Sequence, residues 1–150
     1  MDEEIAVRIT NAWQSFWSLG KYMKGDLPLC LKQKFFNQCI LPIMIYGSQV
    51  WSLTEAQLKK LKICQRNMER SMIGIKRIDR IRNEVIRNAT NVDDVGKKLK
   101  LMKWDWAGHL IRYDDNRWSK FVTEWYPREG SRRPGRPYMR WNDELKKFAG

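Results

Sequence analysis

Three stretches of this chain repeat apolar side chains at intervals of three and four residues, and no stretch alternates them convincingly at two. Ile5, Ile9, Ala12, Phe16 and Leu19 make the first seam, and Leu58, Leu61, Gln65, Met68, Met72 and Ile75 make the second, with one polar member. Val92, Val95, Leu99, Met102 and Trp106, continued by His109 or Leu110, make the third. That spacing puts each set on one face of a helix. A helix with a single apolar face must bury it against a neighbour, so the fold class is all-α, a helical bundle. With 150 residues the chain is one ordinary domain or two very small ones, which excludes a multidomain enzyme.

Local signals punctuate these seams. Asp2, Glu3 and Glu4 suit the positive end of the first helix, and Gly25 with Asp26 marks its exit. Pro28 is placed as the first residue of a second helix through Phe35, Phe36 and Ile40. Pro42 has no N–H for the Gln38 carbonyl and is expected to kink or end that helix. Gly47 marks a turn. Thr54 and Gln57 have the spacing of a capping box, which starts a third helix that ends near Gly74. A short helix is expected around Arg80 to Asn88, and Asn91 with Asp93 and Asp94 opens the next. Pro127, Gly130, Pro134, Gly135 and Pro137 then form a loop before a final short helix near Trp141 to Phe148.

Charge is the second constraint. Lys plus Arg number 29 against 17 Asp plus Glu, a formal charge of +12 and a pI near 9.8, which calls for a polyanionic partner. Hydrophobic residues at 43% and eight Trp exceed what a disordered basic tail carries, so most of the chain folds. The excess is localised. Residues 59–88 hold ten basic against three acidic side chains and 117–140 hold seven against two, whereas 89–116 balance five against five. Lys59, Lys62, Arg66 and Arg70 step by 3, 4 and 4, forming a stripe beside the second seam that could track phosphates or simply be a solvated face. In the second block Trp118, Trp125, Tyr126, Tyr138 and Trp141 interleave with Arg117, Arg128, Arg132, Arg133, Arg136 and Arg140. That mixture suits base stacking combined with phosphate contact, or packing of the aromatics on the helical body. Arg132 to Pro137 is similar to the minor-groove AT-hook, but Pro134 stands where that motif has Arg, so a rigid basic turn fits better.

Other chemistry finds little support. Cys30, Cys39 and Cys64 are odd in number and loosely spaced, which speaks against a disulfide framework and for small core residues in a reducing compartment. With His109 they lack the paired spacings of a zinc site, and no structural metal is expected. His109, the single histidine, reads as a core or interface residue, so no nucleophilic triad is supported. No phosphate-binding loop or dinucleotide glycine pattern occurs, and neither a cofactor nor a catalytic residue is expected. Tyr113-Asp114-Asp115 departs from the reverse-transcriptase metal motif, since its aromatic ring is one place too close to the aspartates. The longest apolar run, Cys39 to Tyr46, is too short to span a membrane, and the acidic start is wrong for a secretory signal. An intracellular, nuclear location is expected.

Several blocks occur together in an order that resembles one family. They are Phe36 to Pro42, Tyr46 to Trp51, Gln65 to Gly74, Asp79 to Asn83, Trp104 to His109, Arg112 to Trp118, and Gly135 to Pro137 with Arg140-Trp141. Together they resemble the region after the catalytic palm in reverse transcriptases of non-LTR (LINE-type) retrotransposons of animals. The resemblance covers almost the whole chain. It implies a thumb-like helical unit over residues 1–76, a helical connector over 77–126 and a basic loop with a terminal helix over 127–150. Carried over, it sets Lys59, Lys62, Arg66 and Arg70 against nucleic-acid backbone and places Trp104, Trp106 and His109 in the connector's packed core. The catalytic aspartates of such an enzyme would lie upstream of Met1, and the zinc knuckle that ends some relatives is not found here. The expected function is binding of RNA, DNA or their hybrid without sequence specificity, through the stripe together with Arg117, Arg132, Arg133, Arg136 and Arg140, and without catalysis. The palm of the parent polymerase is a further expected partner. Two other readings stay open: a part of an active RNA-directed DNA polymerase when joined to that palm, and a helical protein-interaction module.

Overall fold

A computed structural model describes residues 1–112, 118, 119, 121 and 141–149. Among them every regular element is helical. The first seam becomes α1 (Asp2–Ser18), and a break at Leu19 precedes α2 (Gly20–Lys24). The expected single helix to Gly25 is therefore two. Leu19 leaves helical geometry, and its carbonyl accepts from both Tyr22 and Met23 at 2.9 Å, which starts a new turn that buries Met23 completely.

The second helix begins at α3 (Leu29–Phe35), with Pro28 as its cap rather than its first member. Pro42 does not end it. A π-turn over Phe36–Ile40 widens the hydrogen-bond ladder where Pro42 has no N–H to give, and the chain continues as α4 (Leu41–Ile45). Phe36, Ile40, Leu41, Met44 and Ile45 are all buried, so the wider turn keeps one apolar face inward across the proline. Gly47 takes the left-handed conformation (φ 73°) that glycine adopts readily, and a 3₁₀ turn over Ser48–Val50 follows.

Helix α5 (Glu55–Met72) forms the centre. Its capping box is complete: Gln57 N–H donates to Thr54 Oγ1 at 3.3 Å, and Thr54 N–H to Gln57 Oε1 at 3.0 Å. At its other end Gly74 (φ 73°) closes a Schellman motif, with Ile75 N–H donating to the Arg70 carbonyl at 3.0 Å and Gly74 N–H to that of Ser71 at 3.4 Å. A 3₁₀ turn over Arg77–Asp79 leads to α6 (Asn83–Thr90), shifted by a few residues from the expected Arg80 to Asn88. Asn91 ends α6 in the left-handed conformation (φ 48°), so the next helix is opened by Asp94 instead. Helix α7 runs from Val95 to Arg112, and α8 is Trp141–Ala149.

The three seams meet. Ile5, Ala12 and Phe16 of α1, Leu61, Met68 and Met72 of α5, and Val95 and Leu99 of α7 belong to one continuous buried cluster with the α3–α4 residues. Gln65, the polar member of its seam, is fully buried, and both ends of its amide are used. Its Nε2 donates to the Asp93 carbonyl at 2.7 Å and its Oε1 accepts from Val95 N–H at 2.9 Å, so α5 holds the first turn of α7 directly. Two buried lysines act similarly on main-chain oxygens: Lys32 reaches the Met72 carbonyl at 3.2 Å and Lys103 that of Trp51 at 2.8 Å. The terminal helix docks through Trp141, whose indole N–H donates to the Gln49 carbonyl at 2.7 Å.

Three expectations need correction. Cys30 and Cys39 are exposed, and only Cys64 is a core thiol. Trp104 is 42% exposed and His109 lies on the surface, because Leu110 takes the inward position at the end of the third seam. Trp106 is half-buried.

Replacing Gln65 by Leu adds apolar surface but strands the Val95 N–H and the Asp93 carbonyl. Urea unfolding is expected to show a loss of about 2–4 kcal/mol. Burial pushes the Cys64 thiol up to about 11. A disulfide-exchange reagent at neutral pH is therefore expected to titrate Cys30 and Cys39 rapidly in the native protein, and Cys64 only after denaturant is added.

Candidate nucleic-acid interface

Helix α5 is apolar toward the core and cationic on its flank. The flank forms one wall of an open groove of about 830 Å³, with α6 and the first turns of α7 opposite. Lys59, Lys62, Arg66 and Arg70 all line this groove, so the structure brings the four stripe residues together. It adds Arg77, Arg87, Lys97 and Lys100 from other elements, against Glu84 and Asp94 as the carboxylates present. Arg77 and Arg87 belong to the basic segment 59–88, but Lys97 and Lys100 escape a reading by segments, because residues 89–116 are neutral in sum. Their signal was the three-residue spacing of Lys97 and Lys100, which puts both on one face of α7.

The stripe residues are not equivalent. Lys59 and Lys62 are exposed. Arg66 is largely buried and lies between two carboxylates: it pairs with Glu69 within α5, and its Nη2 donates to Asp94 Oδ2 at 3.0 Å. Arg87 of α6 donates to the same Asp94 oxygen at 2.7 Å. The other oxygen of Asp94 accepts from Lys97 N–H at 3.0 Å and so caps α7. Arg70 turns toward the loop before α6, donating to the Ile81 carbonyl at 3.0 Å and to Asn83 Oδ1 at 2.9 Å. Arg66 and Arg70 thus build the groove, whereas Lys59, Lys62, Arg77 and Lys97 present exposed charge within it. Gly96 sits where a Cβ would meet Lys62 Cε at 2.8 Å, so a glycine in the first turn of α7 lets the lysine stem lie across it.

Beyond Arg70 the groove adjoins a second concavity of about 870 Å³ at the C-terminal end of α5, which shares Asn67, Arg70 and Arg77 with it. Lys24, Lys32 and Lys76 line this basin, with Asp26 as its carboxylate. A continuous cationic trough results, with walls formed by helix flanks and the turn before α6.

The chain resembles a transposon-derived protein. Over 148 residues it is 32% identical to a putative uncharacterized transposon-derived protein of Caenorhabditis elegans, covering 96% of this chain and 53% of the relative. Identity along nearly the whole chain supports a transposon origin, and the chain spans about half the relative's length. No protein-family model matches the chain, and no solved structure matches it.

Arg117, Arg132, Arg133, Arg136 and Arg140 lie outside the described residues, as do Tyr113, Asp114 and Asp115 and the loop over 127–140. Trp118 is exposed and stacks on Phe121 with ring centroids 5.4 Å apart. Among the described residues no three His, Cys, Asp or Glu side chains converge as a metal site, and no helix is long and apolar enough to cross a membrane.

Glu69 sets the pH response of this wall. It is fully buried, Arg66 holds one oxygen, and Oε2 has no partner among the described residues. Burial raises its carboxyl above the ordinary value of 4.5, with Arg66 opposing the shift. The folded state therefore binds this proton more tightly than the unfolded chain, and the stability gained at low pH is lost as pH rises through the raised value. Glu69→Gln removes that loss. The stability of the variant relative to the wild type is expected to improve progressively above pH 4.5 in denaturation series; a difference that does not change with pH would contradict the assignment.

Proposed function

We propose that this chain binds the backbone of RNA, DNA or an RNA–DNA hybrid without sequence specificity. In this reading it is the thumb and connector region of a non-LTR retrotransposon reverse transcriptase, with the nucleus as its place of action. The observation that carries it is the trough, where exposed lysines from α5 and α7 face one another while the carboxylate of Asp94 is taken up by Arg66 and Arg87. With Glu84 as the other carboxylate of the groove, its cations still outnumber its anions and leave positive charge for an outside anion. Lysines are point charges with rotatable stems, suited to phosphates and poorly suited to distinguishing base edges. The transposon-derived relative and the order of the sequence blocks favour the polymerase assignment. Chemistry belongs to a palm outside this stretch. Joined to that palm, the trough would grip the template–primer duplex during RNA-directed DNA synthesis.

At roughly 0.9 counterions per phosphate, a footprint of about five phosphates gives a log–log salt slope near −4.5. Fluorescence anisotropy with a labelled duplex is expected to show it, and a flat response defeats the reading. Replacing Lys59, Lys62 and Lys97 by Gln is expected to shallow the slope by about 2.7, since each phosphate contact contributes about 0.9. These three are exposed, so the fold persists where Arg66→Gln would loosen it.

A further inference from the structure

The turn between α5 and α6 carries an apolar side chain that the fold does not use. Ile78 is 82% exposed and sits at the tip of the 3₁₀ turn, within the run Lys76, Arg77, Asp79, Arg80, Ile81, Arg82. A single exposed isoleucine is unremarkable on any soluble surface. This one is held in place from three sides. Asp79 Oδ2 accepts from Lys76 N–H at 2.7 Å, closing the turn beneath it. Arg70, anchored on α5, holds the Ile81 carbonyl at 3.0 Å. Arg80 occupies the left-handed region (φ 49°), which costs a residue with a Cβ energy and directs the chain sharply into α6. The left-handed turn at Arg80 serves α6, which buries Ile86 and Thr90, whereas the Ile78 side chain stays outside the packing of the described residues. Arg77, immediately beside Ile78, lines both halves of the cationic trough, so the tip stands at its edge.

An apolar side chain on a stiff turn, flanked by cations, is the apparatus with which proteins enter a duplex from its minor groove. The side chain separates two stacked base pairs while the charges hold the flanking phosphates. We propose that Ile78 is such a wedge: the ligand of the trough is a base-paired duplex, and Ile78 inserts at one base step with Lys76 and Arg77 on the adjoining phosphates. The wide, shallow minor groove of an A-like RNA–DNA hybrid admits a short turn of this kind without a long projecting arm. The inference rests on the phosphate-binding reading above and adds to it the residue that opens the duplex.

The test uses the full chain and a short RNA–DNA hybrid carrying 2-aminopurine at an internal position, whose emission rises when its neighbour unstacks. Saturating wild-type protein is expected to raise emission by about threefold, as wedge insertion unstacks a step. Ile78→Ser is expected to retain the salt slope of binding and leave emission near that of the free duplex, while Ile78→Leu retains the rise. Because the side chain is outside the core, circular dichroism of the serine variant is expected to match the wild type. Saturable, salt-dependent binding with unchanged emission, the outcome for a tip that contacts protein instead, overturns the wedge and leaves the phosphate reading intact. An equal rise with Ile78→Ser also overturns it. Failure of the wild type to bind the hybrid removes both.

Discussion

Apolar burial of Val95 and Leu99 draws α7 onto α5, and the contacts around Gln65 and Asp94 fix where its first turn lies. Gln65 clamps main-chain groups on both sides of Asp94, accepting from Val95 and donating to Asp93, and Asp94 itself caps α7 while receiving Arg66 and Arg87. Gln33 and Asn37 of the α3–π-turn segment hold the same linker from another side, through the Asn91 carbonyl and the Asp93 N–H. Remove this junction and Val95 and Leu99 lose their place in the core, while the α7 wall of the groove loses its position. Stability and surface chemistry thus depend on the same few atoms. Buried polar groups at such a point narrow the possible arrangements, because any other register leaves several of them unpaired.

Much of this was legible along the chain. A step of three and four residues puts Ile5, Ala12, Phe16, Leu61, Met68, Met72, Val95 and Leu99 inward, and all are buried. Thr54 with Gln57, Gly47 and Gly74 did what their local geometry requires, since caps and left-handed turns are decided by neighbours a few residues away. The π-turn was not legible: Pro42 announces a lost hydrogen bond, but whether the helix stops or widens depends on what Phe36 and Ile40 pack against. Cys30 and Cys39 look like small core residues by type, and their exposure follows only from the rotation of α3 and the π-turn.

The candidate site divides in the same way. The α5 stripe could be read from periodicity within one helix, whereas its pairing could not. Arg66 and Asp94 are 28 residues apart, and nothing local says that one neutralises the other. Counting charge by segment hid Lys97 and Lys100, because it sets Asp94 against them although Arg66 and Arg87 already engage that carboxylate. A basic surface is a property of what remains after internal pairing. Sequence composition measures the quantity before that subtraction.

The subtraction sorts the two cationic side chains unevenly. Arg66, Arg70 and Arg87 are spent on carboxylates, carbonyls and an amide within the fold, where a planar fork can satisfy two acceptors at once. Lys59, Lys62 and Lys97 remain outward, with Arg77 at the junction of groove and basin. Arg77 keeps an exposed fork, but lysines, which lack the bidentate geometry that reads guanine edges, carry most of the other outward charge of the groove. On the proposed reading, charge carried mainly on flexible lysine stems would follow phosphates at any sequence. Discrimination would then pass to shape, the part proposed for the turn bearing Ile78.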